Sequence, residues 1–248
     1  MIDIHAHILP GLDDGAQDME NALRMAEMAV QSGVTAIIAT PHCNLPGERP
    51  NFWDDELRGA LARFQTALRH AGIPVTILPG MEIFGTEEVP ALLREGKLTT
   101  LAQSRCPLIE FPFRNYGRQA TQILAEVAAM GYRPVVAHPE RYRFVQEYPP
   151  LLNEWVDMGC LLQVNKGSLM GRFGRTAEML SMALVDRGFA AFVASDAHSP
   201  AMRTTWLRDV RAFLREEFSE ACAQMLLEEN PRRLLEGAEI HMEPPEWF

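Results

Sequence analysis

The sequence predicts an α/β fold in which seven parallel strands alternate with crossover helices and close into a (β/α)7 TIM-like barrel. Three observations lead there. Short apolar, β-branched runs alternate with amphipathic stretches along the chain, the pattern of a parallel sheet with helical crossovers. Histidines and acids gather at or just past the C-terminal ends of those runs. No Gly-x-Gly-x-x-Gly follows the first strand, so an open dinucleotide-binding sheet lacks its best marker. In a barrel, the C-terminal strand ends share one rim. In an open sheet, polar residues from the first and last strands would lie too far apart to meet.

Residues 2–8 form the first predicted strand, broken by Pro10-Gly11 and the turn cluster Leu12-Asp13-Asp14-Gly15. From Asp18, an N-cap, Ala22, Leu23, Ala26, Ala29 and Val30 recur at helical spacing until Gly33. Residues 34–40 are continuously apolar or β-branched, as expected of a strand buried on both faces, and end in Pro41-His42. A helix from Asp54 or Asp55 to Ala71 precedes a strand over 75–81 that ends at Glu82. A short helix over 88–95 leads to a strand from 107 that ends at Glu110. A helix over 118–130 leads to a strand over 134–137 that ends at His138. A helix over 151–158, a sixth strand over 161–164 and a helix over 176–187 follow. The seventh strand, 190–194, runs into Ser195-Asp196-Ala197-His198, and the remainder reads as helical to about 235.

With 248 residues and 47% hydrophobic content, the chain is sized for one barrel domain over 1–248, its tail from about 238 either a frayed end or a docking peptide. No apolar run approaches the roughly 18 residues needed to cross a bilayer, so a membrane-embedded protein is not expected. The chain opens on a strand with no basic and apolar leader, which predicts a cytoplasmic location. The four cysteines, Cys43, Cys106, Cys160 and Cys222, show neither close pairing nor zinc-site spacing, which suits a reducing compartment. A formal charge of −10 argues against a nucleic-acid partner and so against a nuclease.

His5 and His7 are two residues apart and project from the same face of an extended strand. Side by side, they can hold one divalent metal. His42, Glu82, Glu110, His138, Asp196 and His198 sit at the other strand ends, with Asp13 and Asp14 in the first turn. His70 and His241 fall elsewhere, at a helix end and in the tail. Nitrogen and oxygen donors without thiolate suit manganese, iron or zinc rather than a closed structural zinc site. So many donors exceed one ion and imply two or three, spaced about 3.5–4 Å apart as in two-metal hydrolases. Such a cluster activates water and clamps phosphoryl oxygens, which points to phosphoester hydrolysis. Amide or amidine hydrolysis is the nearest competitor, but it calls for a lysine bridge or a further base.

Lys166, Arg114, Arg118, Arg172 and Arg203 lie in or beside loops that follow strands. They form either a basic collar for an acidic peptide's phosphate or ordinary solubility charges. Cys43 and Arg49 reproduce a Cys-x5-Arg spacing, but Pro46 and Glu48 stand where a cysteine phosphatase needs a small, glycine-dense loop. A phenolate leaves with a pKa near 10 and needs less protonation than an alkoxide. That favours phosphotyrosine over histidinol phosphate.

The motifs His5-Ala-His7, Pro41-His42, Gly80-Met-Glu82, Ile109-Glu110-Phe111, His138-Pro-Glu-Arg141 and Ser195-Asp196-Ala-His198 resemble the polymerase and histidinol phosphatase (PHP) superfamily. The segments from His7 to Gly15, from Leu108 to Phe111 and from His138 to Tyr142 resemble its bacterial capsule-type (CpsB/CapC/YwqE-like) tyrosine phosphatases. The resemblance extends to Asn230-Pro231-Arg232, nearly the whole chain. It implies a distorted (β/α)7 barrel of the PHP type with three divalent ions, typically manganese. By motif, His5, His7, Glu82 and Asp196 would hold the first ion; Glu82, Glu110 and His138 the second. Asp13 or Asp14, with Asp14 preferred, would join His42 and His198 at the third. Arg141 would grip the substrate phosphate and stabilise the transition state, or else be a surface partner of Glu140 or Glu147. The implied substrate is a phosphotyrosine protein, a tyrosine autokinase of exopolysaccharide or capsule synthesis; a histidinol phosphatase is the alternative. One departure is visible: Cys43 stands where the subgroup often carries a second histidine.

Overall fold

The structure, a computed structural model, describes residues 1–114, 116–240, 242, 247 and 248. Its strands are β1 (Ile2–Ala6), β2 (Ala36–Ala39), β3 (His42–Cys43), β4 (Thr76–Pro79), β5 (Glu82–Phe84), β6 (Leu108–Glu110), β7 (Val135–Ala137), β8 (Leu161–Asn165) and β9 (Ala190–Ala194). The helices are α1 (Met19–Ser32), α2 (Asp55–Ala71), α3 (Val89–Arg94), α4 (Gly117–Ala129), α5 (Arg143–Glu147), α6 (Leu151–Asp157), α7 (Lys166–Leu169), α8 (Arg175–Asp186), α9 (Arg208–Glu217), α10 (Glu220–Gln224) and α11 (Asn230–Glu236). Among these residues, no helix is long and apolar enough to cross a membrane.

Every strand pairing is parallel, in two sheets ordered β1-β2-β4 and β3-β5-β6-β7-β8-β9. Two of the seven expected strands are each split in two. Between β2 and β3, Pro41 has no N–H to give the ladder. Between β4 and β5, Gly80 lets the backbone press on β2, since a Cβ there would stand 2.6 Å from Ile38 Cγ2. Both breaks fall immediately before a polar residue of the rim and re-aim it. β1 and the end of β9 meet through a parallel bridge between Ala6 and Ala197. His7 N donates to Ala197 O at 2.8 Å and Asp196 N to His5 O at 2.9 Å.

Strand residues alternate between two apolar clusters, as a period of two requires. Ile37, Ile109, Val136, Leu162 and Val193 pack in the larger cluster with the helices. Ile38, Leu108, Val135, Leu161 and Phe192 pack in a smaller one. Glu110 lies two residues beyond Leu108, Gln163 two beyond Leu161, and Asp196 two beyond Ala194, another member of the smaller cluster. The polar site therefore caps the smaller cluster.

The helices end where their residues dictate. Asp18 caps α1, its carboxylate accepting from Asn21 N at 2.8 Å, and Gly33 closes it at φ 95°. Asp54 does the same for α2, accepting from Glu56 N and Leu57 N, both at 3.0 Å. The segment after β9 departs from the continuous helix expected there. Helix resumes only at α9, and a π turn (Met225–Glu229) separates α10 from α11. α5 and α7 were also not anticipated; each is too short to carry a periodic signal. At the C-terminus, Phe248 packs on Phe189 with ring centroids 5.0 Å apart, and Phe248 N donates to Asn153 Oδ1 at 3.2 Å. His241 and residues 243–246 lie outside the described residues.

Tyr142 ties the ends of two site-bearing strands. Its hydroxyl, fully buried, donates to Ala137 O at 2.6 Å and accepts from Phe111 N at 3.0 Å. Tyr142→Phe takes one hydrogen-bond partner from each of these two backbone groups. The expected loss is about 1–3 kcal/mol of unfolding free energy in a urea titration; an unchanged midpoint would show that the hydroxyl carries no such role.

Candidate metal centre

Each strand end brings one or two side chains to a single buried place. β1 brings His5 and His7, β3 His42, β5 Glu82 and β6 Glu110. His138 follows β7, and Asp196 and His198 follow β9. His138 and Asp196 have left-handed backbones, at φ 32° and 48°. A non-glycine residue there stores about 1–3 kcal/mol of strain and persists only where the surroundings impose it.

The donor atoms form four overlapping groups, each spanning no more than 4.8 Å: His7, Asp14, His42 and His198; His5, His7 and Asp196; His5, Glu82 and His138; His42, Glu82 and Glu110. His42 and Glu82 are register partners across β3 and β5, with His42 Nδ1 3.1 Å from Glu82 Oε2. His138 Nε2 lies 3.0 Å from Glu82 Oε1.

The far side of the rings explains how they face. His5 Nδ1 donates to Gln163 Oε1 at 2.9 Å, and His7 Nδ1 to Asp13 Oδ2 at 2.7 Å. His198 Nδ1 donates to the Asp196 carbonyl at 3.0 Å. Each Nε2 is thereby turned inward, and those of His5 and His7 stand 3.3 Å apart. Two imidazole nitrogens that close repel unless a proton or a metal ion is shared between them. Asp196 Oδ1 is buried without a hydrogen bond, 3.6 Å from both of those nitrogens. An orphaned carboxylate oxygen facing two imidazoles could take a cation, and the chemistry of these donors fits a divalent ion.

The titration shifts follow from the same crowding. Burial disfavours charge on His7, but Asp13 and Glu82 outweigh it and hold the ring's pKa well above its usual value. Burial likewise opposes charge on Glu82, yet His5, His138 and His7 hold it well below the carboxylate range. Glu110 goes the other way: burial, then the charges of Glu82 and Asp196, push it well up. Burial lowers His138 to about 4.

The adjacent aspartates are separated by geometry. Asp13 is occupied, accepting from His7 Nδ1, from His42 N at 2.8 Å and from Gly15 N at 2.9 Å. A Cβ on Gly15 would stand 2.2 Å from His7 O, so this loop closes only with glycine there. Asp14 is largely exposed, with Oδ1 3.3 Å from His198 Nε2 and 3.5 Å from His42 Nε2.

Arg141 reaches the cluster, its Nη1 donating to Asp196 Oδ2 at 3.2 Å. Its proposed surface partner Glu147 pairs instead with Arg143, and Glu140 is buried with Oε1 accepting from Asn165 N at 2.9 Å. Arg203 and Asn165 Nδ2 also bond Asp196 Oδ2. Asn165 was missed, although it ends β8 and the strand-end rule applied to the other strands would have found it.

Within the collar, Lys166 does not line the cluster. It is buried, with Nζ donating to Thr204 O at 3.2 Å and to Trp206 O, and lying 3.4 Å from Asp209 Oδ1. It directly follows β8, but its side chain runs back to tie down the segment before α9. Arg114, Arg118 and Arg172 are exposed, as is His70 at the end of α2. Cys43 is fully buried, burial pushes its thiol up to about 12, and Arg49 pairs with Glu56. A cysteine so placed offers no thiolate.

The sequence matches the family described as capsular polysaccharide synthesis, CpsB/CapC, over residues 1–236. The chain belongs to the CpsB/CapC family. It is 39% identical to the tyrosine-protein phosphatase YwqE of Bacillus subtilis (strain 168), over 99% of this chain and 96% of that relative. It is 26% identical to the tyrosine-protein phosphatase CpsB of Streptococcus pneumoniae, over 95% and 98% respectively. A solved structure from work on YwqE and CpsB, described there as metal-dependent tyrosine phosphatases, matches with a TM-score of 0.94 and 40% identity. That match covers 100% of this chain and 99% of the other. A phosphotriesterase from Mycobacterium tuberculosis matches over 95% of this chain at a TM-score of 0.54 and 12% identity, a likeness of fold alone.

In this CpsB/CapC-family protein, Lys166→Met is expected to lower the thermal unfolding midpoint without changing bound divalent metal, measured by elemental analysis. Loss of metal with unchanged stability would return Lys166 to the site.

Proposed function

We propose that the protein is a metal-dependent phosphoester hydrolase that dephosphorylates phosphotyrosine in proteins. The observation that carries this reading is the convergence of nitrogen and oxygen donors in four overlapping groups, beside an arginine held on Asp196. The named activity of its relatives supports the same substrate.

In this reading His5, His7, Glu82 and Asp196 hold one ion, and Glu82, Glu110 and His138 a second. Asp14, His42 and His198 hold a third. Membership of Glu82 in two donor groups suits a bridging carboxylate. Three ions are proposed, manganese first, with iron or zinc as alternatives. When bound, divalent ions lower the pKa of water and offset charge on phosphoryl oxygens.

The chain's own residues do the rest. Asp13 and Gln163 fix the His7 and His5 rings by their outer nitrogens, as partners behind metal ligands do. Arg141 offers a planar fork of donors to the phosphoryl oxygens, and its anchor on Asp196 limits the freedom lost when substrate arrives. A phenolate, with a pKa near 10, leaves without prior protonation, which suits a site whose acids and imidazoles are turned toward one another.

We place this chemistry in one domain over 1–248, a distorted (β/α)7 barrel closed where β1 meets the end of β9. The substrate we propose is a bacterial tyrosine autokinase in the cytoplasm, the family's link to capsular polysaccharide synthesis being its support.

The manganese-loaded protein is expected to turn over a phosphotyrosine peptide in preference to histidinol phosphate and single-stranded DNA. Activity confined to histidinol phosphate would overturn the substrate. Exhaustive chelation is expected to abolish turnover and manganese to restore it; activity that survives metal removal would revive a cysteine mechanism. Arg141→Ala is expected to slow turnover by about 10²–10³-fold, the cost of losing a transition-state donor. A near-native rate would remove it from the catalytic set.

A further inference from the structure

Large aromatic side chains near the site are mostly sealed: Phe111, Tyr142 and Trp155 are fully buried. Phe113, three residues beyond Glu110, is 40% exposed, and Phe173 is half-buried. Its ring lies nearly parallel to that of His138, at 18° with centroids 6.1 Å apart. The Arg141 guanidinium carbon stands 4.9 Å from the Phe113 ring centre and 4.3 Å from that of Phe173. The group read above as the phosphate grip thus has two aromatic rings within cation–π range.

Both rings are held by backbone. Phe113 O accepts from Arg143 N at 2.8 Å. Phe173 packs against the bare backbone of Gly167, where a Cβ would meet the ring at 2.5 Å. Arg203 also reaches Phe173, 5.9 Å from its centre.

We propose that Phe113 is the specificity residue for the leaving group, forming a wall against which the phenyl ring of phosphotyrosine packs. The inference rests on the phosphatase reading above and deepens it. A phosphoryl group seated on the cluster and gripped by Arg141 leaves its ester bond to run toward solvent. Phe113, 40% exposed and with its ring centre 4.9 Å from that guanidinium carbon, is an accessible aromatic beside the grip. An aryl group there finds an apolar partner and the favourable geometry of an aromatic pair. A phosphoserine or other alkyl ester offers only a methylene and forgoes both.

The test uses phenylphosphonate and methylphosphonate, which cannot be hydrolysed, titrated calorimetrically into the manganese-loaded full-length protein. Wild type is expected to prefer phenylphosphonate. Phe113→Leu, conservative at a partly exposed position, is expected to cut that preference by about 3–10-fold, and Phe113→Tyr to keep it. A preference that survives in Phe113→Leu overturns the inference, as does wild type binding both ligands equally. Equal weakening of both ligands in Phe113→Leu also overturns it and reduces Phe113 to a positioning residue for Arg141. If wild type binds neither ligand, the phosphoryl site itself fails, a result distinct from the others.

Discussion

The arrangement on which everything else depends is a set of inward-facing imidazole nitrogens and carboxylate oxygens crowded into one buried place. His5 and His7 are each fixed from behind, by Gln163 and Asp13, so their inner nitrogens confront each other at 3.3 Å. Asp196 Oδ1 adds a buried, unpaired oxygen beside them. Removing carboxylates from water costs several kcal/mol each unless opposite charge is supplied. Burial opposes charge on both Glu82 and Glu110, but the histidines around Glu82 hold its pKa down, while Glu82 and Asp196 push that of Glu110 further up. Multivalent positive charge relieves all of these at once, which is why the fold reads as a cage for cations.

Holding such a cage has a backbone cost, and the fold confines it to the strand ends. His138 and Asp196 adopt left-handed conformations directly after β7 and β9. Pro41 and Gly80 break two strands just before His42 and Glu82. Gly15 closes the Asp13–Asp14 turn on the backbone of His7. Strain of this kind collects where side chains must be aimed rather than where the core is packed. Below it, the strands pack as ordinary alternating apolar residues.

Much of this was legible before any coordinates. Parallel alternation, helix stops such as Gly33 and the polar residues at strand ends follow from local chemistry, and the structure gathers those residues in one place. The break at Gly80 was not legible, because the clash it avoids is with Ile38, more than forty residues away. Lys166 shows the limit of reasoning from position alone: a loop lysine after a strand has the right address, but its long side chain leads to carbonyls near α9. Asp13 and Asp14 are equivalent in sequence and differ only in which of them His7 and the turn amides engage. Phe113 and Phe173 carried no sequence signal, since their significance is their distance from Arg141.

The most direct measurement is anomalous scattering from a crystal of the protein grown with manganese, recorded on both sides of the manganese absorption edge. Peaks between the inner nitrogens of His5 and His7 and beside Glu82, His42 and His198 are the predicted result. A map with no anomalous density among these side chains, from protein that still hydrolyses phosphotyrosine, would contradict the account.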